Sequence, residues 1–172
     1  MLKLAGVIML MLGCVGIGIS KVNEEKRRVR ELRQIKRIII RIQNEMIYGK
    51  RTLPEICFLL SQYVERPYRD IFQEIYQKLA ENRGEILEKL WKEQMEVGMK
   101  EMPLKEAEKD ILCNLPEHLG IQDETMQAAD IGQSLDMIAE HIRQAESELE
   151  SKAKVIMSLS VTAGLFISIL LL

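Results

Sequence analysis

Aromatic residues, cysteines and enzyme motifs are scarce in this chain of 172 residues. Aromatic side chains make up 5%, with one Trp, four Tyr and three Phe. No stretch alternates Val, Thr or Tyr with polar residues, the pattern of a half-buried strand, so no sheet is expected. The three cysteines, Cys14, Cys57 and Cys113, lie far apart, which suits neither a disulfide framework nor a metal pair. Missing as well are a Gly-rich phosphate loop with its Lys and Ser or Thr, a Gly-x-Ser-x-Gly turn, and a His-Glu-x-x-His helix. His118, in the turn Leu115-Pro116-Glu117-His118, and His141, beside Glu140 on a polar helical stripe, both read as surface residues. No catalytic residue, cofactor or metal site is therefore expected, and the chain reads as a non-enzyme.

Hydrophobicity is concentrated at the two ends. Residues 4–19, LAGVIMLMLGCVGIGI, and residues 155–172, VIMSLSVTAGLFISILLL, carry no charge. Eighteen helical residues rise about 27 Å, close to the roughly 30 Å of a hydrocarbon core. The head run is shorter, and Lys3 and Lys21 flank it where they can snorkel to the two surfaces. Its Gly6, Gly13, Gly16 and Gly18 permit close helix approach in lipid, as Ala163 and Gly164 do in the tail. The expected organisation is an N-terminal transmembrane helix over 1–20, a cytoplasmic helical bundle over 21–154, and a C-terminal transmembrane helix over 155–172. A cleaved targeting segment is the alternative for the head. Gly16 and Gly18 fit the small residues before a cut, and Met11-Leu12-Gly13-Cys14 approximates a lipid-attachment box. The charge beyond the run argues for a membrane span. Lys26, Arg27, Arg28, Arg30, Arg33, Lys36 and Arg37 place seven cations in twelve residues, and Lys152 and Lys154 precede the tail. Cations near a span stay in the cytoplasm.

The net charge of −2 hides a strong asymmetry. Lys21–Arg51 holds eleven basic and four acidic residues, whereas Glu117–Glu150 holds nine acidic residues and one Arg. Such bipolarity favours pairing within the fold or with a partner over nucleic-acid binding. The basic run suits anionic lipid head groups or an acidic protein surface.

The middle reads as six helices. The first, from about Val22 to Tyr48, carries a seam of Leu32, Ile35, Ile39, Ile42 and Met46, and Gly49 ends it. Thr52-Leu53-Pro54-Glu55 opens the second, with Ile56, Leu59, Leu60 and Val64 inward. The third, about Pro67–Ala80, buries Ile71, Phe72, Ile75 and Leu79. Asn82-Arg83-Gly84-Glu85 starts the fourth, with Leu87, Leu90, Trp91 and Met95 inward. Pro103 opens the fifth, about Leu104–Leu115, which Pro116 and Gly120 break. Asp123 caps the sixth, where Ile131, Leu135, Ile138, Ile142, Ala145 and Leu149 recur, and no breaker separates it from the tail run. Cys57 and Cys113 fall on apolar faces as small core residues. The basic first helix and acidic last helix are expected to pack antiparallel with opposite charges facing.

Four segments in this order carry a resemblance to a known family. They are Arg30-Glu31-Leu32-Arg33, Glu45-Met46-Ile47-Tyr48-Gly49, Leu53-Pro54-Glu55, and Leu119-Gly120 before the Asp-led last helix. With the two end runs they resemble the stage III sporulation protein AB family over essentially the whole chain. Lys50-Arg51-Thr52 departs from that family's Thr-Pro-Leu-Pro-type turn while leaving the cap intact. The resemblance implies a membrane component of the channel between mother cell and forespore, lying on the mother-cell side. It implies a soluble part similar to the six-helix domain of type II secretion platform F proteins. It also implies docking to a secretion-type ATPase, stage III sporulation protein AA.

The residues expected to dock that ATPase are the cations Arg27, Arg28, Arg30, Arg33 and Arg37 on the exposed side of the first helix, with Lys50 and Arg51 at its far turn. Other channel membrane proteins, anionic lipids and further copies of the chain are the remaining expected partners, and nucleic acid is not. The competing reading is a membrane-bound sensing or signalling helical protein without catalytic activity, which needs a core pocket or titratable switch. A hydrolase needs a nucleophile and base that the chain does not display.

Overall fold

The computed structural model describes the backbone of residues 2–81, 87–119 and 124–171. All regular structure there is helical, in the order α1 (Leu2–Ile47), α2 (Leu53–Tyr63), α3 (Tyr68–Ala80), α4 (Leu87–Gly98), α5 (Glu106–Cys113), α6 (Leu115–Leu119) and α7 (Glu124–Leu171). The head run continues into α1 without a break, and α7 continues through the tail run. Neither junction holds a proline, and helix formation once nucleated adds one hydrogen bond per residue. The capping signals expected at Asn82–Glu85 and Asp123 lie outside the described residues.

Seven helices among the described residues replace the six expected. The extra one is α6. The fifth helix begins at Glu106, not Leu104, and stops at Cys113, where the Asn114 N–H closes on the Asp110 carbonyl at 2.9 Å. Leu115–Leu119 then restarts with Pro116 at its second position, where a missing N–H costs nothing. The α1 terminus also differs in detail. The left-handed residue is Lys50, with φ of 47°, and not Gly49. Gly49 is still required, because a Cβ there would sit 2.6 Å from the Glu45 carbonyl oxygen. At the start of α2 the Glu55 carboxylate accepts from the Thr52 N–H at 2.8 Å and from its hydroxyl at 3.0 Å. These bonds hold the Glu55 carboxyl below its ordinary range.

Internal contacts divide the chain into two compact units, Met1–Arg30 with Arg143–Leu172, and Glu31–Ile142. The second holds the hydrophobic core. Leu32, Ile35, Ile39 and Ile42 are fully buried, as the seam required, and Ile56, Leu60, Phe72, Ile75, Trp91, Met95, Ile131 and Ile138 join them. Phe72 meets Trp91 edge-on at 5.5 Å, and the Trp91 N–H donates to the Leu112 carbonyl at 2.8 Å, so the one indole loses no hydrogen bond on burial. Met99, Met102 and Leu104 extend the core through the α4–α5 connection. Between α3 and α4 the backbone comes close: a Cβ on Gly98 would overlap Cγ1 and Cδ1 of Ile71. Cys57 and Cys113 are buried free thiols, as their apolar faces implied.

The first unit pairs a segment of α1 with a segment of α7. Arg28 meets Glu148 and Glu25 meets Lys152, so the contacts step in opposite directions along the two helices and the pairing is antiparallel. Gly13 and Gly16 do not serve this contact, because a Cβ on either would meet nothing within 4 Å. Gly18 is buried against α7 instead. Among the described residues no helix is long and apolar enough to cross a membrane. Residues 2–12 and 167–171, which include the outer parts of both uncharged runs, lie outside those whose side chains are described.

Candidate docking site

Between Lys21 and Ile47 α1 contains neither glycine nor proline, and its apolar residues recur every three or four positions, which leaves the cations one outward face. Arg27, Arg30, Arg33 and Arg37 are exposed on it. Arg30, Arg33 and Arg37 follow steps of three and four residues and so share a stripe. The Arg37 guanidinium donates to the Gln34 side-chain oxygen. Arg27 and Arg30 belong to the first unit and Arg33 and Arg37 to the second, so each unit carries outward cations fitted to carboxylates or phosphates.

Arg28 does not belong to that surface. Its side chain keeps 7% of its exposure, with the guanidinium 2.8 Å from Glu148 and 3.6 Å from Glu25. Lys152 completes the group, 2.5 Å from Glu25 and 3.6 Å from Glu148. The bond to Glu25 raises the Lys152 ammonium above its ordinary value of 10.5. Two cations and two carboxylates thus alternate between α1 and α7, and the expectation of Arg28 as a docking cation is corrected to a helix-pairing one. Its position on the inward side follows from helical spacing: it lies one position before Val29 and four before Leu32, both buried.

Lys50 and Arg51 sit apart, about 15 Å of helix rise beyond Arg37 before α1 ends. Arg51 is held by Glu45, with its Nε 3.4 Å from the carboxylate and its N–H on the Glu45 carbonyl at 3.1 Å. Tyr48 beside them is 82% exposed. The predicted cations therefore form two places, a stripe and a turn.

Two arrangements escaped the sequence reading. Arg41 lies 4.4 Å over the ring of Tyr63, a cation–aromatic contact linking α1 to the end of α2, and no spacing signals a pair so far apart in sequence. Glu108 is fully buried, its carboxylate accepting the Lys105 N–H at 2.8 Å as the cap of α5, with His141 Nδ1 4.0 Å away. His141 is thus half-buried, where a surface position was expected. The cap was hidden because Lys105 stands where Ser or Thr would announce it. No group of three or more His, Cys, Asp or Glu able to hold a metal ion occurs among the described residues.

A profile of the stage III sporulation protein AB family matches residues 3–172. The chain belongs to that family. A relative in Bacillus subtilis (strain 168), stage III sporulation protein AB, is 24% identical over 172 residues, covering all of both chains. A solved structure of stage III sporulation protein AB is 21% identical and superposes with a TM-score of 0.64, covering 72% of this chain and 96% of its own. That likeness establishes the helical fold, and the family match makes this a sporulation protein. In the segment Arg30-Glu31-Leu32-Arg33, Leu32 is core while Arg30 and Arg33 are outward, so one short segment supplies both packing and surface charge.

Proposed function

We propose that this protein is a membrane-anchored adaptor of the mother cell–forespore channel, resembling a secretion platform, which docks a secretion-type ATPase of the stage III sporulation protein AA kind. The observation that carries the reading is the continuity of each uncharged end run with α1 or α7, combined with antiparallel pairing of those helices. Helices so paired bring both end runs to the same side. Both runs then enter one bilayer, in the mother-cell membrane around the forespore, with residues 21–154 in the mother-cell cytoplasm. Other membrane proteins of the channel and further copies of the chain are the neighbours that the end runs reach. The outward cations Arg27, Arg30, Arg33 and Arg37 face an acidic surface of the ATPase, and Lys50 and Arg51 form a second contact. The adaptor is no enzyme on this reading.

Capture of the ATPase from detergent-solubilised sporulating membranes tests the docking. Reversal of Arg30, Arg33 and Arg37 to Glu is expected to reduce capture at least tenfold while helicity persists, since several like-charge contacts cost cumulatively. Undiminished capture by a folded triple variant would sink the docking assignment. Reversal of Arg28 is expected to lower stability instead, because that side chain is buried.

A further inference from the structure

The first unit contains a half-open groove of about 360 Å³ between its two helix segments. Gly18 and Ala153, one small residue on each helix, lie at different levels along it, and Ile19, Val22, Leu149 and Met157 give it apolar walls. Its polarity changes along its length. Gly18 and Met157 lie at the end nearest the uncharged runs, whereas Lys26 and Glu150 stand at the other, both exposed. From Gly18 to Lys26 the α1 backbone rises about 12 Å.

We propose that this groove binds one phospholipid with a zwitterionic phosphoethanolamine head, one of its two acyl chains lying along Gly18, Val22 and Ala153, its phosphate at Lys26 and its ammonium at Glu150. This rests on the membrane-anchored reading, which puts the groove where acyl chains meet head groups. Size selects the kind of occupant. A helix is about 10–12 Å across with its side chains, too wide for a trough of this volume, whereas one acyl chain of a lipid can enter while the other stays in the bilayer. Charge selects the head group. A cation and a carboxylate at one mouth match a head that carries both signs, and Glu150 repels a head carrying phosphate alone. Gly18 and Ala153 leave the space, and Ile19, Val22, Leu149 and Met157 supply the apolar wall against which burying methylenes is favourable.

The test uses the full chain, delipidated in a mild detergent and titrated with phosphatidylethanolamine or phosphatidylglycerol of identical acyl chains, with bound lipid counted by native mass spectrometry. The wild type is expected to retain one phosphatidylethanolamine with about fivefold preference, the scale of one exposed ion pair. Ala153→Trp fills the groove and should abolish retention, and Glu150→Lys should shift the preference towards phosphatidylglycerol. Equal retention of the two lipids by the wild type overturns the proposal. So does an unchanged preference in Glu150→Lys, whose exposed site keeps the fold out of question even if Ala153→Trp unfolds. Flotation of the wild type with vesicles separates the two readings. A chain that floats without lipid preference loses only the groove assignment, whereas one that stays in solution loses the anchoring and the groove together.

Discussion

The Arg28 guanidinium and the Glu148 carboxylate meet at 2.8 Å across the two helices of the first unit, with Arg28 almost fully covered. Burial makes this pair different from the exposed cations around it. Water screens an exposed pair to within about 1 kcal/mol of nothing, whereas a covered one is missed when either partner goes. Arg28→Met is expected to cost about 1.5–3 kcal/mol, because it removes the covered cation and leaves Glu148 and Glu25 with the exposed Lys152 as their shared partner. Glu148→Gln should cost less, since Glu148 keeps 34% of its exposure. Thermal unfolding of the full chain in detergent measures both, and a larger loss from Glu148→Gln would contradict this order.

Lys152 makes the same helix pair sensitive to alkali. Its ammonium is held above 10.5 by the bond to Glu25, so its contribution is complete below that pH and is lost as pH rises through the folded value. The melting difference between wild type and Lys152→Gln should hold constant from neutral pH to about 10.5 and shrink beyond it. A difference that grows with alkali would reverse the sign and the argument.

Gly98→Ala sets two effects against each other. Alanine favours a helix over glycine by about 1 kcal/mol, but overpacking a core costs about 1–3 kcal/mol. Because the new methyl would overlap Ile71, the second effect is expected to win. The double variant with Ile71→Ala should lose less than the sum of the singles, read from urea titrations.

Lys50→Gly is expected to stabilise by about 0.5 kcal/mol, as the relief of a left-handed lysine exceeds the added freedom of glycine in the unfolded chain. The φ of 47° is the reason. The same variant should weaken ATPase capture if the turn is a docking contact. Stability that falls on this substitution would mean that the lysine side chain packs in a way its backbone does not reveal.

Burial pushes the Cys57 thiol up to about 12 and the Cys113 thiol up to about 11. The reactive thiolate is therefore scarce at neutral pH. In a Cys14→Ser background, a thiol reagent should modify neither residue in the folded chain and both after denaturation. Rapid labelling of the native form would show that the core opens there.

Periodicity was enough to find the seam Leu32–Ile35–Ile39–Ile42, because a helical face needs only local spacing to be visible. The Glu55 cap was legible for the same reason, three residues from Thr52. Met99, Met102 and Leu104 were not, since they lie in a connection whose path no period describes. Nor was Glu108, a buried carboxylate that caps the helix on which it sits. Among the docking cations, spacing placed Arg30, Arg33 and Arg37 together but could not say that Arg28 faces α7.

By itself the sequence determined that the chain is helical, where its apolar faces lie, that its two ends are uncharged, and which family it joins. All of these are written in neighbouring residues or in composition. Tertiary structure alone decided which charges are surface and which are cement. It also decided that Gly18 lines a groove while a Cβ on Gly13 or Gly16 would meet nothing within 4 Å. The reason is geometric: a residue's partner across two packed helices depends on their register and rotation, which residues more than a hundred positions apart set jointly.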